Sequence, residues 1–157
     1  MLKSSKIKPF LSFETQAEDA AKFYTSVFPN SEIVQVVRRP KGVPGEEGKV
    51  MLVSFKLEGQ EFLALNGGPP VPHTEAFSLL VECADQGEID YFWDKLTSGG
   101  GKPLQCGWLK DRFGVTWQVV PQDIGRYFRD AKKAERVMAA VMQMVKLDLA
   151  AMEAAAK

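Results

Sequence analysis

Residues 77–98 read FSLLVECADQGEIDYFWDKLTS, and seventy positions earlier residues 7–28 read IKPFLSFETQAEDAAKFYTSVF. Each stretch opens with a short apolar run, 7–13 and 77–83, of strand length. Each then switches to helical spacing. Ala17, Ala20, Ala21, Tyr24, Val27 and Phe28 share one face in the first stretch, and Ile89, Phe92, Trp93 and Leu96 share one in the second. The switch is marked by the same four-residue pattern, Thr-Gln-Ala-Glu at 15–18 and Asp-Gln-Gly-Glu at 85–88. Both have the form of a capping box, in which the first side chain accepts a backbone N–H and the glutamate reaches back. Pro29 and Asn30 stop the first helix; the glycines at 99–101 stop the second.

The segments after the two helices also correspond. After the first come a strand (SEIVQVVRR, 31–39), a polar loop (39–49) and a hairpin (49–66) turning at Glu58 and Gly59. After the second come KPLQCGW (102–108), a turn at 111–114 with Gly114 at positive φ, and VTWQVV (115–120). The pattern is strand, helix, three strands, twice over, and repeats of this kind define an architecture. The expected fold is α+β: two tandem βαβββ modules, about 7–66 and 76–121, in one domain spanning 1–121. Each module carries a helix on the outer face of a curved sheet, and two together enclose an apolar trough suited to a small ligand. Residues 122–157 form a helical extension. From Asp130, a stripe of Ala134, Val137, Met138, Val141, Val145 and Leu149 predicts one amphipathic helix, packed on its own chain or across a homodimer.

Composition narrows the function classes. A chain of 157 residues buries roughly two thirds of its unfolded surface, so it needs no disulfide or metal to fold. Twenty basic residues balance twenty acidic ones with no long basic run, which argues against a nucleic-acid surface. The first residues, MLKSSKIKPF, lack the apolar core of a secretory signal, and no long apolar window suggests a membrane span. A cytoplasmic location is the expectation. Cys83 and Cys106 sit in apolar, strand-like surroundings and read as free thiols.

The segments PFLSFETQAEDAAKFYTSVFPNSEI (9–33), FLALNGGP (62–69), FSLLVEC (77–83) and CGWLKDRFGVTWQVVP (106–121) resemble the PhnB-like group of the glyoxalase/bleomycin-resistance/extradiol-dioxygenase superfamily, and the similarity extends through the AERVMAAVMQMVKLD tail (134–148). That group's domain is often labelled 3-demethylubiquinone-9 3-methyltransferase. The resemblance implies paired βαβββ modules, commonly a dimer, and in many members a divalent metal held by His, Glu or Gln on the first and last strands of each module. The corresponding positions here fall near Phe10 or Ser12, near Asn66, near Ser78 and at Gln118, none of them His, Asp or Glu. Neutral amides and hydroxyls hold divalent metals poorly without a charged partner, so no cofactor and no tight metal are expected. The methyltransferase label would need a glycine-rich turn between a strand and a helix. The two glycine-rich runs, at 66–70 and 99–103, both run into prolines instead.

Candidate ligand contacts are set by polarity and alternation. Asn66 and Gln118 are amides ending or interrupting apolar strands, with Trp117 and Val119 on the opposite side of the strand from Gln118. Trp108 and Trp117 suit either an aromatic wall or the core, with the core expected for Trp117. Cys106 is a nucleophile only if a cation lowers its pKa. The single histidine, His73, lies in a proline-rich connection with Glu75 two residues on, where both reach a ligand if that loop folds over the trough. The expected function is binding a small, partly apolar molecule. The alternatives are a metal-assisted lyase, isomerase or dioxygenase-type enzyme, or the methyltransferase of the label.

Overall fold

A computed structural model describes residues 5–157. The repeat appears in it as two four-stranded sheets of the same connectivity. Residues 5–72 contain β1 (Phe10–Phe13), α1 (Ala17–Val27), β2 (Ser31–Arg38), β3 (Val50–Leu57) and β4 (Gln60–Asn66), in sheet order β1-β4-β3-β2. Residues 73–157 contain β5 (Leu79–Cys83), α2 (Gln86–Thr97), β6 (Lys102–Pro103), β7 (Trp108–Lys110) and β8 (Thr116–Pro121), in order β5-β8-β7-β6. A 3₁₀ turn (Ile124–Phe128), α3 (Ala131–Val141) and α4 (Leu149–Ala155) complete this second unit. In both sheets the strand before the helix pairs in parallel with the last strand, and the other pairs are antiparallel. Among the described residues no helix is long and apolar enough to cross a membrane.

Alternation sorts each sheet into a helix-facing side and an open side. In the first unit Leu11, Phe13, Val53, Phe55, Phe62 and Ala64 are buried, as is the Ala17, Ala20, Ala21, Tyr24 face of α1. Tyr24 stacks on Phe55 at 6.1 Å between ring centroids, and Phe55 on Phe62 at 5.3 Å. In the second unit Val81, Leu109, Trp117 and Val119 are buried, with Ile89, Phe92, Trp93 and Leu96 of α2. Trp117 is therefore a core residue.

The two helix starts are capped differently. At α2 the capping box forms: Asp85 accepts from the Glu88 N–H at 2.9 Å, and Glu88 Oε2 accepts from the Ala84 N–H at 2.7 Å. At α1 neither Thr15 nor Gln16 caps. The Ala17 N–H instead donates to Asn66 Oδ1 at 2.8 Å, from 49 residues away. Parallel pairing of β1 with β4 sets Phe13 beside Asn66, which delivers the amide to the helix start.

The C-terminal extension is not one helix. The α-helix ends at Val141, a turn at 142–143 unwinds it, and the irregular chain to residue 148 lies along the β6–β7 turn. The Cys106 N–H donates to Met144 O and the Gly107 N–H to Val145 O, both at 2.8 Å. Asp148 then caps α4 through the Ala151 N–H at 3.0 Å. The break puts Leu147 into a cluster with Val120, Tyr127, Val137, Val141 and Met152, while Val145, which an unbroken helical stripe would place inside, is 40% exposed. Burial and two tertiary hydrogen bonds outweigh helix propensity, which is worth only tenths of a kcal/mol per residue. The extension packs in cis on its own unit. Gln86 clamps it to α2, donating to Leu147 O at 3.1 Å and accepting from the Leu149 N–H at 2.8 Å. Lys146 pairs with Asp90 at 2.7 Å. The Tyr127 hydroxyl and Arg126 meet the Glu153 carboxylate.

Candidate functional site

The β7–β8 turn decides which way Gln118 points. Asp111, 3% exposed, accepts from the Phe113 and Val115 N–H groups at 2.8 and 3.1 Å through one oxygen. Its other oxygen accepts from Trp117 Nε1–H at 2.8 Å. This holds the indole on the α2 side, so the next residue, Gln118, projects from the open side. Gly114, at φ 85°, makes the turn as expected from sequence.

Strand register then assembles a row across the open side. Gln118 pairs with Leu80 on β5 and with Trp108 on β7. Gln118 Nε2 donates to Ser78 Oγ at 2.9 Å, which commits one of its two amide N–H groups and leaves the carbonyl oxygen as an acceptor above the sheet. Leu80 is 51% exposed and Trp108 half-buried, so a polar acceptor stands between two apolar walls. Glu75 pairs with Lys110 at 3.3 Å rather than with His73, its nearest neighbour of opposite character in sequence. His73 lies half-buried in the segment leading to β5. Lys110 entered the sequence reading only as a possible cation for Cys106, and Leu80 had no place in it; register sets Leu80 beside Gln118 and Lys110 opposite Thr116.

The open side of the first sheet carries Phe10, 52% exposed, and Ser12. A cavity of about 300 Å³ lies on this unit between Val34, Val37, Leu52 and Leu63, with Gln35 and Ser54 and the Lys8–Glu61 ion pair at its edge. Asn66 is not part of it. Its oxygen caps α1, its Nδ2 donates to Val50 O at 3.2 Å, and its own carbonyl accepts from Arg39 at 3.2 Å. Asn66→Ala is expected to lower stability by about 1–2 kcal/mol, the usual value of a lost cap. Asn66→Asp keeps the cap acceptor but sets a carboxylate oxygen against the Val50 carbonyl, so it should recover only part of the loss in urea unfolding. A loss below about 0.5 kcal/mol for the alanine variant would show that the cap contributes little.

Cys106 lies in a turn rather than a strand. With Gly107 it forms the two left-handed central positions, φ 62° and 82°, of a turn closed by the Trp108 N–H on Gln105 O at 3.1 Å. Its Sγ is 4.0 Å from Met142 Sδ, under the extension and not in the Trp108–Gln118–Leu80 row. Cys83 is buried, and desolvation with Glu88 and Asp85 nearby pushes its thiol up to about 12. A native chain treated with an excess of Ellman's reagent should therefore release one equivalent rapidly, from Cys106, and the second only on unfolding. Mapping the label to Cys83 in folded protein would contradict this.

A tightly held divalent metal needs charged or imidazole donors converging on one point. Asn66 is committed at both ends of its amide, Gln118 offers one neutral oxygen, and the remaining positions supply serine hydroxyls or a phenyl ring. Among the described residues no three His, Cys, Asp or Glu side chains group so as to hold an ion. These residues do not fit a tight divalent site.

A family model described as 3-demethylubiquinone-9 3-methyltransferase matches residues 5–120. The chain belongs to that family. A putative 3-demethylubiquinone-9 3-methyltransferase, PhnB protein, from Bacillus cereus is 40% identical over 74% of this chain and 99% of its own, with a TM-score of 0.67. Two remoter structures share the fold of this PhnB-like chain. A protein from Pseudomonas aeruginosa is 20% identical over 76% of this chain and 100% of its own (TM-score 0.65). A fosfomycin resistance protein from Mesorhizobium loti is 8% identical over 83% and 100% (TM-score 0.59). No curated protein sequence matches the chain. The PhnB-like match stops at residue 120, so the extension lies outside it.

Proposed function

We propose that this PhnB-like protein binds a small, partly apolar molecule on the open side of its sheets, without a tightly held metal. The observation that carries the reading is the row on β5, β8 and β7. A glutamine carbonyl, turned outward by Asp111 and steadied by Ser78, stands between an exposed leucine and a tryptophan. A buried or half-buried acceptor in apolar surroundings is costly unless a donor meets it, so a ligand O–H or N–H is the natural partner. The open side of the first sheet, with Phe10, Ser12 and the 300 Å³ cavity, supports the same use. The expected homodimer remains part of this reading and is checked by light scattering.

The test is extraction of natively purified protein, with metal content and co-purifying small molecules measured by mass spectrometry. Substoichiometric metal and an organic molecule lost in Gln118→Leu are the expected result. A stoichiometric divalent metal would overturn the metal-free reading in favour of a metal-assisted enzyme. The family description raises methyl transfer as a rival. Of the glycine-rich runs, one follows β4 and leads into Pro69 and Pro70, and the other follows α2; neither opens a helix onto a phosphate or a nucleoside. Saturable binding of S-adenosylmethionine by calorimetry would revive that rival.

A further inference from the structure

We propose that the C-terminal extension is an end wall of the ligand face, restricting it to compact, single-ring molecules that carry a hydrogen-bond donor. This rests on the ligand-binding reading above. Val120 stands two residues beyond Gln118 on β8, so both side chains project from the same, open side of the sheet. Their surroundings differ. Leu80, beside Gln118, is 51% exposed, whereas Val120 is 4% exposed and forms one cluster with Tyr127, Val137 and Val141 of the extension. The extension therefore covers one end of the open side and leaves the Leu80–Gln118–Trp108 row exposed at Leu80 and half-exposed at Gln118 and Trp108. Two residues of strand span about 7 Å, the width of one six-membered ring. A ring whose O–H or N–H donates to Gln118 and which lies toward Val120 meets the wall at its far edge.

The wall is built to hold its position. Gln86 grips it on both sides of Asp148, Lys146 pairs with Asp90, and Met144 and Val145 are hydrogen-bonded to the β6–β7 turn. The family model matches residues 5–120, which include the row, and does not reach the extension that forms the wall. A chain with the same modules and no such extension would leave the Val120 end of the face open.

The experiment titrates phenol, 4-methylphenol, 4-butylphenol and 4-hexylphenol into the full-length protein by calorimetry. It then repeats the series with Val120→Ala and Val141→Ala, each checked for folding by circular dichroism. Wild type is expected to prefer 4-methylphenol to 4-butylphenol by tenfold or more. Each variant, with space carved at the wall, should narrow or reverse that preference at least fivefold. Two positions keep the result readable if one variant fails to fold. Binding of the series with the same length preference in wild type and in every folded variant would overturn the wall and leave the ligand-binding reading standing. No binding of any phenol by wild type would sink both.

Discussion

Asp111→Ala should destabilise the protein by about 3–5 kcal/mol, a large fraction of the 5–15 kcal/mol typical of a domain. The carboxylate is 3% exposed and accepts from two backbone N–H groups and the Trp117 indole. Alanine removes that acceptor from the buried Val115 N–H and Trp117 indole N–H and from the part-buried Phe113 N–H, and charge-assisted bonds of this kind are stronger than neutral ones. Asparagine is a sharper probe. It keeps the oxygen facing the Phe113 and Val115 N–H groups but presents either an N–H to the indole N–H or the reverse, so it should still cost about 2 kcal/mol. Urea unfolding followed by circular dichroism measures the loss, and the indole N–H resonance of Trp117 reports the broken bond directly. The effect reaches the candidate site, because the same bonds turn Gln118 outward: a folded Asp111→Asn chain should bind phenol more weakly than wild type. An alanine variant less than about 1 kcal/mol below wild type would show that the turn is held by other means.

Gly107→Ala is the second large effect, at about 2–3 kcal/mol. The residue has φ 82°, and a Cβ there would lie 2.9 Å from Leu147 Cγ and 3.0 Å from Val119 O. Leu147 has room to shift only by leaving the cluster that seats the extension, and the Val119 carbonyl belongs to β8 and cannot yield. Gly114→Ala provides the control. Its φ is 85°, almost the same, but nothing lies within 4 Å of the added carbon. It should therefore show only the left-handed backbone cost of about 1 kcal/mol. The difference between the two isolates packing against the extension. In the Gly107 variant, limited proteolysis should cut first within 142–148, and Cys106 should react faster with thiol reagents. Equal losses for both variants would mean that the extension does not press on the turn.

Most of the architecture was legible because it depends on neighbours in sequence. The apolar runs at 7–13 and 77–83, the helical faces of Tyr24 and Trp93, the Asp85–Glu88 box and the turn at Gly114 each involve residues a few positions apart. Their geometry follows from period and backbone preference. The seventy-residue repeat then made the second module a check on the first. Where the reading missed, the deciding partner was remote. Thr15 had the spacing of a cap but Asn66 does the work, because parallel pairing of β1 with β4 brings an amide with two bonding ends to the helix start. The apolar stripe of the extension continued past Val141, yet the chain breaks there, because Leu147 gains more by burial against Gly107 and Val120 than Val145 would in a helix.

The candidate site divides along the same line. That Gln118 projects away from Trp117 and Val119 was determined by the sequence alone, since side chains alternate along any strand. That Ser78 holds its amide, that Leu80 and Trp108 flank it, and that Glu75 pairs with Lys110 instead of serving His73 was decided only by tertiary structure. Local spacing sets which face a side chain takes; strand register, a property of pairing between segments up to 40 residues apart in that unit, sets which side chains share the face.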